Sequence, residues 1–227
     1  MPTLTKRTKT NQEIVTKITG PQPVPDAVKV LKSFKAPKFD QTVDVVVSLG
    51  IDTKQADQQL RGAISFPKGV GKTARVVCFC ASDKVAPAKA AGAIEAGADE
   101  LVEKINGGWM DFDVAVASPD MMRIVSKLGK VLGPKGLMPS PKAGTVAADV
   151  ITAVKEYSAG KVEYRADAGG NVHCVIGKMS FAETDLADNL QHFIHTIERI
   201  KPQTAKGTYI KKCVISGTMT PGVPVAV

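Results

Sequence analysis

Apolar positions in the middle of this chain follow two alternating periods. Short apolar runs typical of buried strands lie at 74–81 and 113–117, and stretches with helical spacing lie at 85–96 and 147–158. Strands and helices in alternation are typical of a mostly parallel sheet covered by helices. We therefore predict an α/β arrangement for this part of the chain.

The two ends of the chain carry elements of a different kind. The pattern predicts helices at 26–34 and 181–200 and strands at 42–49, 161–165, 172–176 and 211–219. Neither end has enough elements for a compact domain. We therefore predict one α+β domain built from residues 1–68 and 161–227, with residues 69–160 inserted. The predicted hinge residues at the two crossings are Gly69, Gly71 and Gly160.

Charge directs this picture toward a polyanionic partner. The 227 residues carry 30 Lys and Arg against 22 Asp and Glu, a formal charge of +8. The two ends together hold +7 and the predicted insert only +1. Within the insert, residues 128–144 form a long basic loop rich in Gly and Pro, which indicates a functional loop rather than a connector, with a solvated basic rim as the alternative. Nucleic acid is the first candidate partner.

The N-terminal residues lack the apolar stretch of a signal peptide. The longest uncharged run, 213–227, is too short for a bilayer and contains Gly and Pro. We expect a cytoplasmic protein without a membrane partner.

Spacing argues against a metal site. No cysteine pair has the CxxC spacing, and His192 and His195 share a helix face without a third ligand at partner spacing. We predict four buried thiols, no metal and no cofactor. The cysteines are Cys78, Cys80, Cys174 and Cys213.

The segment Gly71-Lys72-Thr73 resembles the end of a phosphate-binding loop, but the rest of that loop is missing. Phe66 stands where the pattern needs glycine, and a strand follows instead of a helix. We find no catalytic constellation elsewhere and predict that the protein is not an enzyme. A nucleotide- or sugar-phosphate-binding α/β enzyme stays as the disfavoured alternative.

An RNA-binding surface is expected at the ends of strands in the outer domain, at 38–42 and 216–220. Hydroxyl groups there suit a ribose 2′-OH, because both donate and accept hydrogen bonds. An exposed Phe39 or Met219 would pack on a ribose or a base. The alternative for Phe39 is a core anchor.

Several longer motifs resemble the ribosomal protein L-one family. They are GWMDFDVAVASPDMM at 108–122, LGPKGLMPSPKAGTV at 132–146, FDQTV at 39–43, LGID at 49–52, KGTY at 206–209 and Thr-Met at 218–219. They occur in the family's order, and the resemblance runs from about residue 6 to residue 223.

This resemblance implies an outer α+β sandwich built from both termini and an inserted Rossmann-like three-layer α/β domain without nucleotide. It implies a cytoplasmic protein of the ribosome that is a monomer when free. The implied partners are the large-subunit ribosomal RNA stalk, deacylated tRNA at the exit site, and the mRNA of its own operon, whose translation it represses.

The resemblance also implies individual contacts. The rRNA-binding positions carried over are Lys38, Phe39, Thr42, Asp44, Asp167, Gly169, Ser180, Thr218 and Met219. Further candidates for contact with tRNA or other RNA, with solvent alone as the alternative, are Lys54, Arg61, Arg165, Lys130, Lys135 and Lys142.

Four positions depart from the family pattern. Thr220 replaces the usual glycine of the last motif, Ser140 an asparagine, Ala168 a basic residue and Lys212 a small hydroxyl residue. Because threonine resists a positive φ, we expect the backbone at Thr220 to approach RNA differently than a glycine would.

Overall fold

Short helices and strands alternate along residues 5–18 and 20–227, the part of the chain that this computed structural model describes. The helices are α1 Lys6–Thr16, α2 Val24–Ser33, α3 Val85–Ala90, α4 Asp99–Asn106, α5 Met122–Val125, α6 Gly129–Leu132, α7 Val150–Ser158 and α8 Glu183–Arg199. The strands are β1 Thr42–Leu49, β2 Arg61–Ile64, β3 Val76–Phe79, β4 Ala93–Gly97, β5 Val114–Ala117, β6 Val162–Arg165, β7 Asn171–Lys178, β8 Ile210–Gly217 and β9 Val223–Val225.

The chain divides into two compact units. The outer unit consists of Met1–Gly71 and Tyr164–Val227, and the inner unit is Lys72–Glu163. The mixed α/β class is confirmed by the helices and sheets of both units. Their role as separate domains joined by glycine hinges stays a prediction.

An antiparallel sheet of four strands, in the order β7-β1-β8-β9, forms the centre of the outer unit. Strict alternation along β1 buries Val43, Val45, Val47 and Leu49 on one face. Helices α2 and α8 pack on this unit's strands, and α8 buries residues such as Leu186 and Phe193 that recur at helical spacing. The alternate positions of β1 are only half-buried and form the sheet's open face.

A parallel sheet in the order β4-β3-β5 forms the centre of the inner unit, as its alternating pattern predicts. Every residue of β3 is buried, which is typical of a strand covered on both faces. Leu101 and Ile105 of α4 pack into one core cluster with Phe79, Leu128 and Leu132.

The predicted helix over 85–96 is wrong in its second half. Helix α3 ends at Ala90, Gly92 adopts a φ of 112°, and Ala93 begins strand β4 beside β3. The alanine-rich sequence favours a helix, but pairing with the buried strand outweighs that local preference. The other predicted helices and strands are confirmed with ends shifted by at most three residues. Elements α1, α4, β2 and β9 were not predicted, and α6 lies inside the segment 128–144 that was predicted as a loop.

No helix within the described residues has the length and hydropathy needed to cross a bilayer.

Candidate RNA interface

One end of the four-stranded sheet gathers most of the predicted rRNA contacts. Strand β1 begins there while β7 and β8 end, so Thr42 lies opposite Lys178 and Val43 lies opposite Gly217. We call this end the near edge and define it as residues 38–44, 178–180 and 216–220. It holds Lys38, Phe39, Thr42, Asp44, Ser180, Thr218 and Met219.

Two large apolar side chains stand out from the near edge. Phe39 is 52% exposed and Met219 is 53% exposed. The alternative that Phe39 anchors the core is therefore wrong. Single exposed apolar side chains are ordinary on protein surfaces, so what distinguishes these two is that both lie on one edge beside polar groups.

Hydroxyl groups of the near edge are fixed by hydrogen bonds between strands. The Thr42 N–H donates to Thr218 Oγ1 at 3.2 Å, and the Thr218 N–H donates to the Thr42 carbonyl at 3.1 Å. Lys178 Nζ donates to Thr42 Oγ1 at 2.8 Å, which leaves that hydroxyl its own proton to donate. The edge thus presents donors and acceptors in fixed positions.

Ser180 is attached to the near edge through Asp40. The Asp40 carboxylate accepts the Ser180 N–H at 3.1 Å and the Ser180 hydroxyl at 2.9 Å. Sequence reasoning did not single out Asp40 or Lys178. Asp40 lies inside the segment chosen from the sequence, whereas the position of Lys178 beside Thr42 follows only from the register of β7 on β1.

Asp44 is the acidic group of this surface, two residues into β1 on the open face. Burial raises its pKa above the ordinary aspartate value, and the positive charges of Lys178 and His173 oppose that rise. Its half-buried carboxylate can accept a hydrogen bond from a 2′-OH or an amino group.

Asp167 and Gly169 lie at the opposite end of the sheet, which we call the far edge and define as residues 50–54 and 167–171. The Asp167 carboxylate accepts the N–H groups of Gly169 at 2.9 Å and Asn171 at 2.7 Å, and the Asn171 side-chain amide at 3.1 Å. These bonds, those from Asn171 first, lower its pKa. Seven strand steps of about 3.4 Å separate the ends of β7, so the two edges are roughly 24 Å apart.

A strip of polar and half-buried apolar side chains runs between the two edges along the open face of β1 and β7, with Val46 opposite His173 and Val175 opposite Asp44. His173 Nε2 lies 3.6 Å from Asp167 Oδ2, and His173 also acts on the charge of Asp44. The strip continues through Asp44 to Thr42 and Lys178.

A family model described as Ribosomal protein L1p/L10e family matches residues 31–221. This chain belongs to that family. It is 54% identical over 87% of its length to the large ribosomal subunit protein uL1 of Nitratidesulfovibrio vulgaris (strain DSM 19637 / Miyazaki F), covering 84% of that protein. It is 51% identical over 88% of its length to uL1 of Nocardioides sp. (strain ATCC BAA-499 / JS614), covering 83% of it. The resemblance seen in the motifs is confirmed.

The family's glycine-to-threonine departure causes no strain here. Among the described residues, only glycines have a positive φ, so Thr220 keeps an ordinary backbone, and an altered approach of that backbone to RNA stays a prediction. Its Oγ1 instead accepts the Gly217 N–H at 2.8 Å and closes the turn. At the second departure, the Ser140 N–H donates to Thr145 Oγ1 at 2.8 Å.

The basic residues proposed for tRNA lie in both units. Lys54 is exposed at the far edge, Arg61 lies on β2, and Arg165 is exposed at the end of β6. In the inner unit the family's Gly- and Pro-rich loop is held from inside, where the Tyr157 hydroxyl donates to the Ala143 carbonyl at 2.7 Å. The three lysines of this loop, Lys130, Lys135 and Lys142, are all exposed.

The predicted hinge positions all have left-handed backbones. Gly69, Gly71 and Gly160 have φ values of 66°, 71° and 104°. The buried Asn189 amide donates to the Gly69 carbonyl and to that of Ile176, each at 2.9 Å, so this turn is anchored in the outer unit.

The side chains considered for phosphate binding or thiol chemistry are paired with a carboxylate or unreactive. Lys72, in the segment that resembles a phosphate loop, lies 3.4 Å from the Asp113 carboxylate. Burial raises the pKa of Cys78 and Cys174 to about 12, so both thiols stay protonated at neutral pH. Within the described residues no group of three or more His, Cys, Asp or Glu is placed to hold a metal.

Proposed function

We propose that this protein is a structural, non-catalytic component of the large ribosomal subunit that holds ribosomal RNA on the near edge. The observation that carries the proposal is the pair of exposed side chains, Phe39 and Met219, beside fixed hydroxyls and lysines. Family membership supports it, because the relatives are named large ribosomal subunit proteins.

The chemistry of each group suggests its role. Lys38 and Lys178 attract phosphates, and Phe39 and Met219 pack on a ribose or a base. Thr42 and Thr218 exchange hydrogen bonds with 2′-OH groups, while Asp44 accepts from a 2′-OH or a base amino group. The loop of Asp167 and Gly169 makes a second contact at the far edge.

The remaining partners belong to the same proposal. The basic loop of the inner unit and the arginines near the two crossings contact deacylated tRNA at the exit site and assist its release as the inner unit moves on its glycines. A similar structure in the mRNA of its own operon binds the near edge, and this binding represses translation of that mRNA. The free protein acts as a cytoplasmic monomer without a cofactor.

Salt dependence tests the phosphate contacts. With large-subunit rRNA transcribed in vitro, six contacts would give a slope of log K against log salt of about −4 to −5. Lys38→Gln should make the slope less steep by about 0.7–0.9. The control is Lys29→Gln, an exposed lysine of α2, and it should leave the slope unchanged. Binding that does not respond to salt would contradict the proposal.

A further inference from the structure

Gln41 joins the chain segments that form the near edge. The side chain is 1% exposed. Its main-chain carbonyl accepts the Met179 N–H at 2.9 Å, next to Ser180. Its side-chain Oε1 accepts the Met219 N–H at 2.8 Å across 178 positions of sequence. One residue therefore connects to both of the other segments of the near edge, 178–180 and 216–220.

The turn at 217–220 is built around this side chain. The Thr220 N–H donates to the Gly217 carbonyl at 3.2 Å, and Thr220 Oγ1 accepts the Gly217 N–H at 2.8 Å. A Cβ atom at Gly217 would lie 2.8 Å from Thr220 Oγ1 and 3.3 Å from Gln41 Oε1. Gln41 and Thr220 thus fill the space beneath the turn, and only glycine leaves them room.

The other end of the Gln41 amide is unsatisfied. Its buried Nε2 has no hydrogen-bond partner among the residues that the structure describes. A buried donor without a partner costs stability, and an apolar side chain of similar size would avoid that cost. Packing alone therefore does not explain why position 41 carries a glutamine. The hydrogen bond from the Met219 N–H to Oε1 does explain it.

We infer that Gln41 is a positioning residue for RNA binding. It fixes the backbone at Met219 and so sets the directions of Thr218 and Met219 before RNA arrives. This inference rests on the proposed function, since it concerns the same surface. Fixing the turn in advance removes an ordering cost from association.

Two substitutions separate positioning from packing. Gln41→Leu removes the acceptor and the unsatisfied donor together, so the cost of leaving the Met219 N–H unpaired and the relief of the unpaired Nε2 offset each other, and the melting temperature of the free protein should change little. Its Met219 amide should exchange faster with solvent, as measured by NMR. Its affinity for large-subunit rRNA transcribed in vitro should fall about three- to tenfold, which corresponds to one lost hydrogen bond. If Gln41→Leu disturbs folding, Gln41→Met is used in its place, because methionine is unbranched like glutamine.

Gln41→Glu is the rescue variant, because a carboxyl oxygen still accepts the Met219 N–H in either protonation state. It should keep the Met219 amide protected and bind rRNA more tightly than Gln41→Leu. The matched control is Gln58→Leu, which removes another buried glutamine that accepts a backbone N–H at 2.8 Å, that of Asp52. It should lower the melting temperature and affect rRNA affinity less than Gln41→Leu.

Two results would overturn this inference alone. One is rRNA binding by Gln41→Leu at wild-type affinity while its Met219 amide exchanges fast. The other is a loss of affinity that follows the loss of melting temperature equally in Gln41→Leu and Gln58→Leu. Failure of the wild-type protein to bind rRNA would instead overturn the proposed function, and this inference with it.

Discussion

The near and far edges of one sheet are held together in different ways. At the near edge, hydrogen bonds join residues 136 to 178 positions apart, such as Lys178 with Thr42 and Met219 with Gln41. At the far edge, the Asp167 carboxylate bonds to residues only two and four positions away. The near edge therefore exists only once the whole sheet has formed. The Asp167 loop adds these local bonds to two long-range ones, from Thr53 Oγ1 to the Ala168 carbonyl and from the Leu49 N–H to the Gly170 carbonyl, each at 2.9 Å.

The two edges also differ in the chemical groups that they expose to a partner. The near edge exposes two large apolar side chains, and the Asp167 loop exposes a carboxylate whose lowered pKa keeps it charged. We expect the near edge to supply most of the specific affinity. The far edge should contribute orientation through its neutral groups and polar backbone, because a carboxylate repels phosphates.

Glycine substitution gives the largest contrast between the edges. In Gly217→Ala the new Cβ would lie 2.8 Å from Thr220 Oγ1, so the turn must rebuild. We expect a loss of about 1–3 kcal/mol in unfolding free energy from this overpacking. In Gly169→Ala the nearest atom is the Asn171 side-chain nitrogen at 3.1 Å, which can move aside. That change should cost about 0.5 kcal/mol or less by urea unfolding. Equal losses would contradict the contrast.

Truncation of Met219 measures the apolar contact of the near edge. Met219→Ala should weaken rRNA binding by about 1–2 kcal/mol, because packing on RNA buries this side chain. Its melting temperature should hardly change, since the side chain is exposed. The control is Ile94→Ala, an exposed side chain of the inner unit, 48% exposed, which should leave rRNA affinity unaltered. Unchanged binding by Met219→Ala would place the contact elsewhere.

Acid titration gives the smallest effect on stability, and this effect has opposite signs for Asp167 at the far edge and Asp44 at the near edge. The pKa of Asp167 is lowered in the folded state, so its contribution is present above pH 4 and is lost as pH falls through the folded value. The pKa of Asp44 is raised by burial, so its carboxylate disfavours the folded state at neutral pH, and acidification relieves this.

Urea midpoints of the two asparagine variants between pH 7 and pH 3 test these signs. Relative to the wild type, Asp167→Asn should lose less stability on acidification and Asp44→Asn should lose more. A shift of the same sign in both variants would refute the assignment of opposite environments to the two edges.

The sequence predicts β1 at its observed bounds, because the valines at 43, 45 and 47 recur at every second position over 42–49. It does not predict β4, since an alanine-rich segment becomes a strand only through pairing with β3. For the site, motifs locate both segments that carry Phe39 and Met219. They do not reveal Gln41 as the link between them, because that link depends on a register set by the folded sheet.

Strand β1 pairs with β7 on one side and β8 on the other, and both follow it by more than 120 residues. During synthesis at about 5–20 residues per second, this valine-rich strand therefore leaves the ribosome roughly 6–25 s before its first sheet neighbour does. The whole inner unit is made within that interval and can form its own parallel sheet. For that time the nascent chain carries an apolar strand with both edges open, which is the kind of segment that aggregates or recruits chaperones.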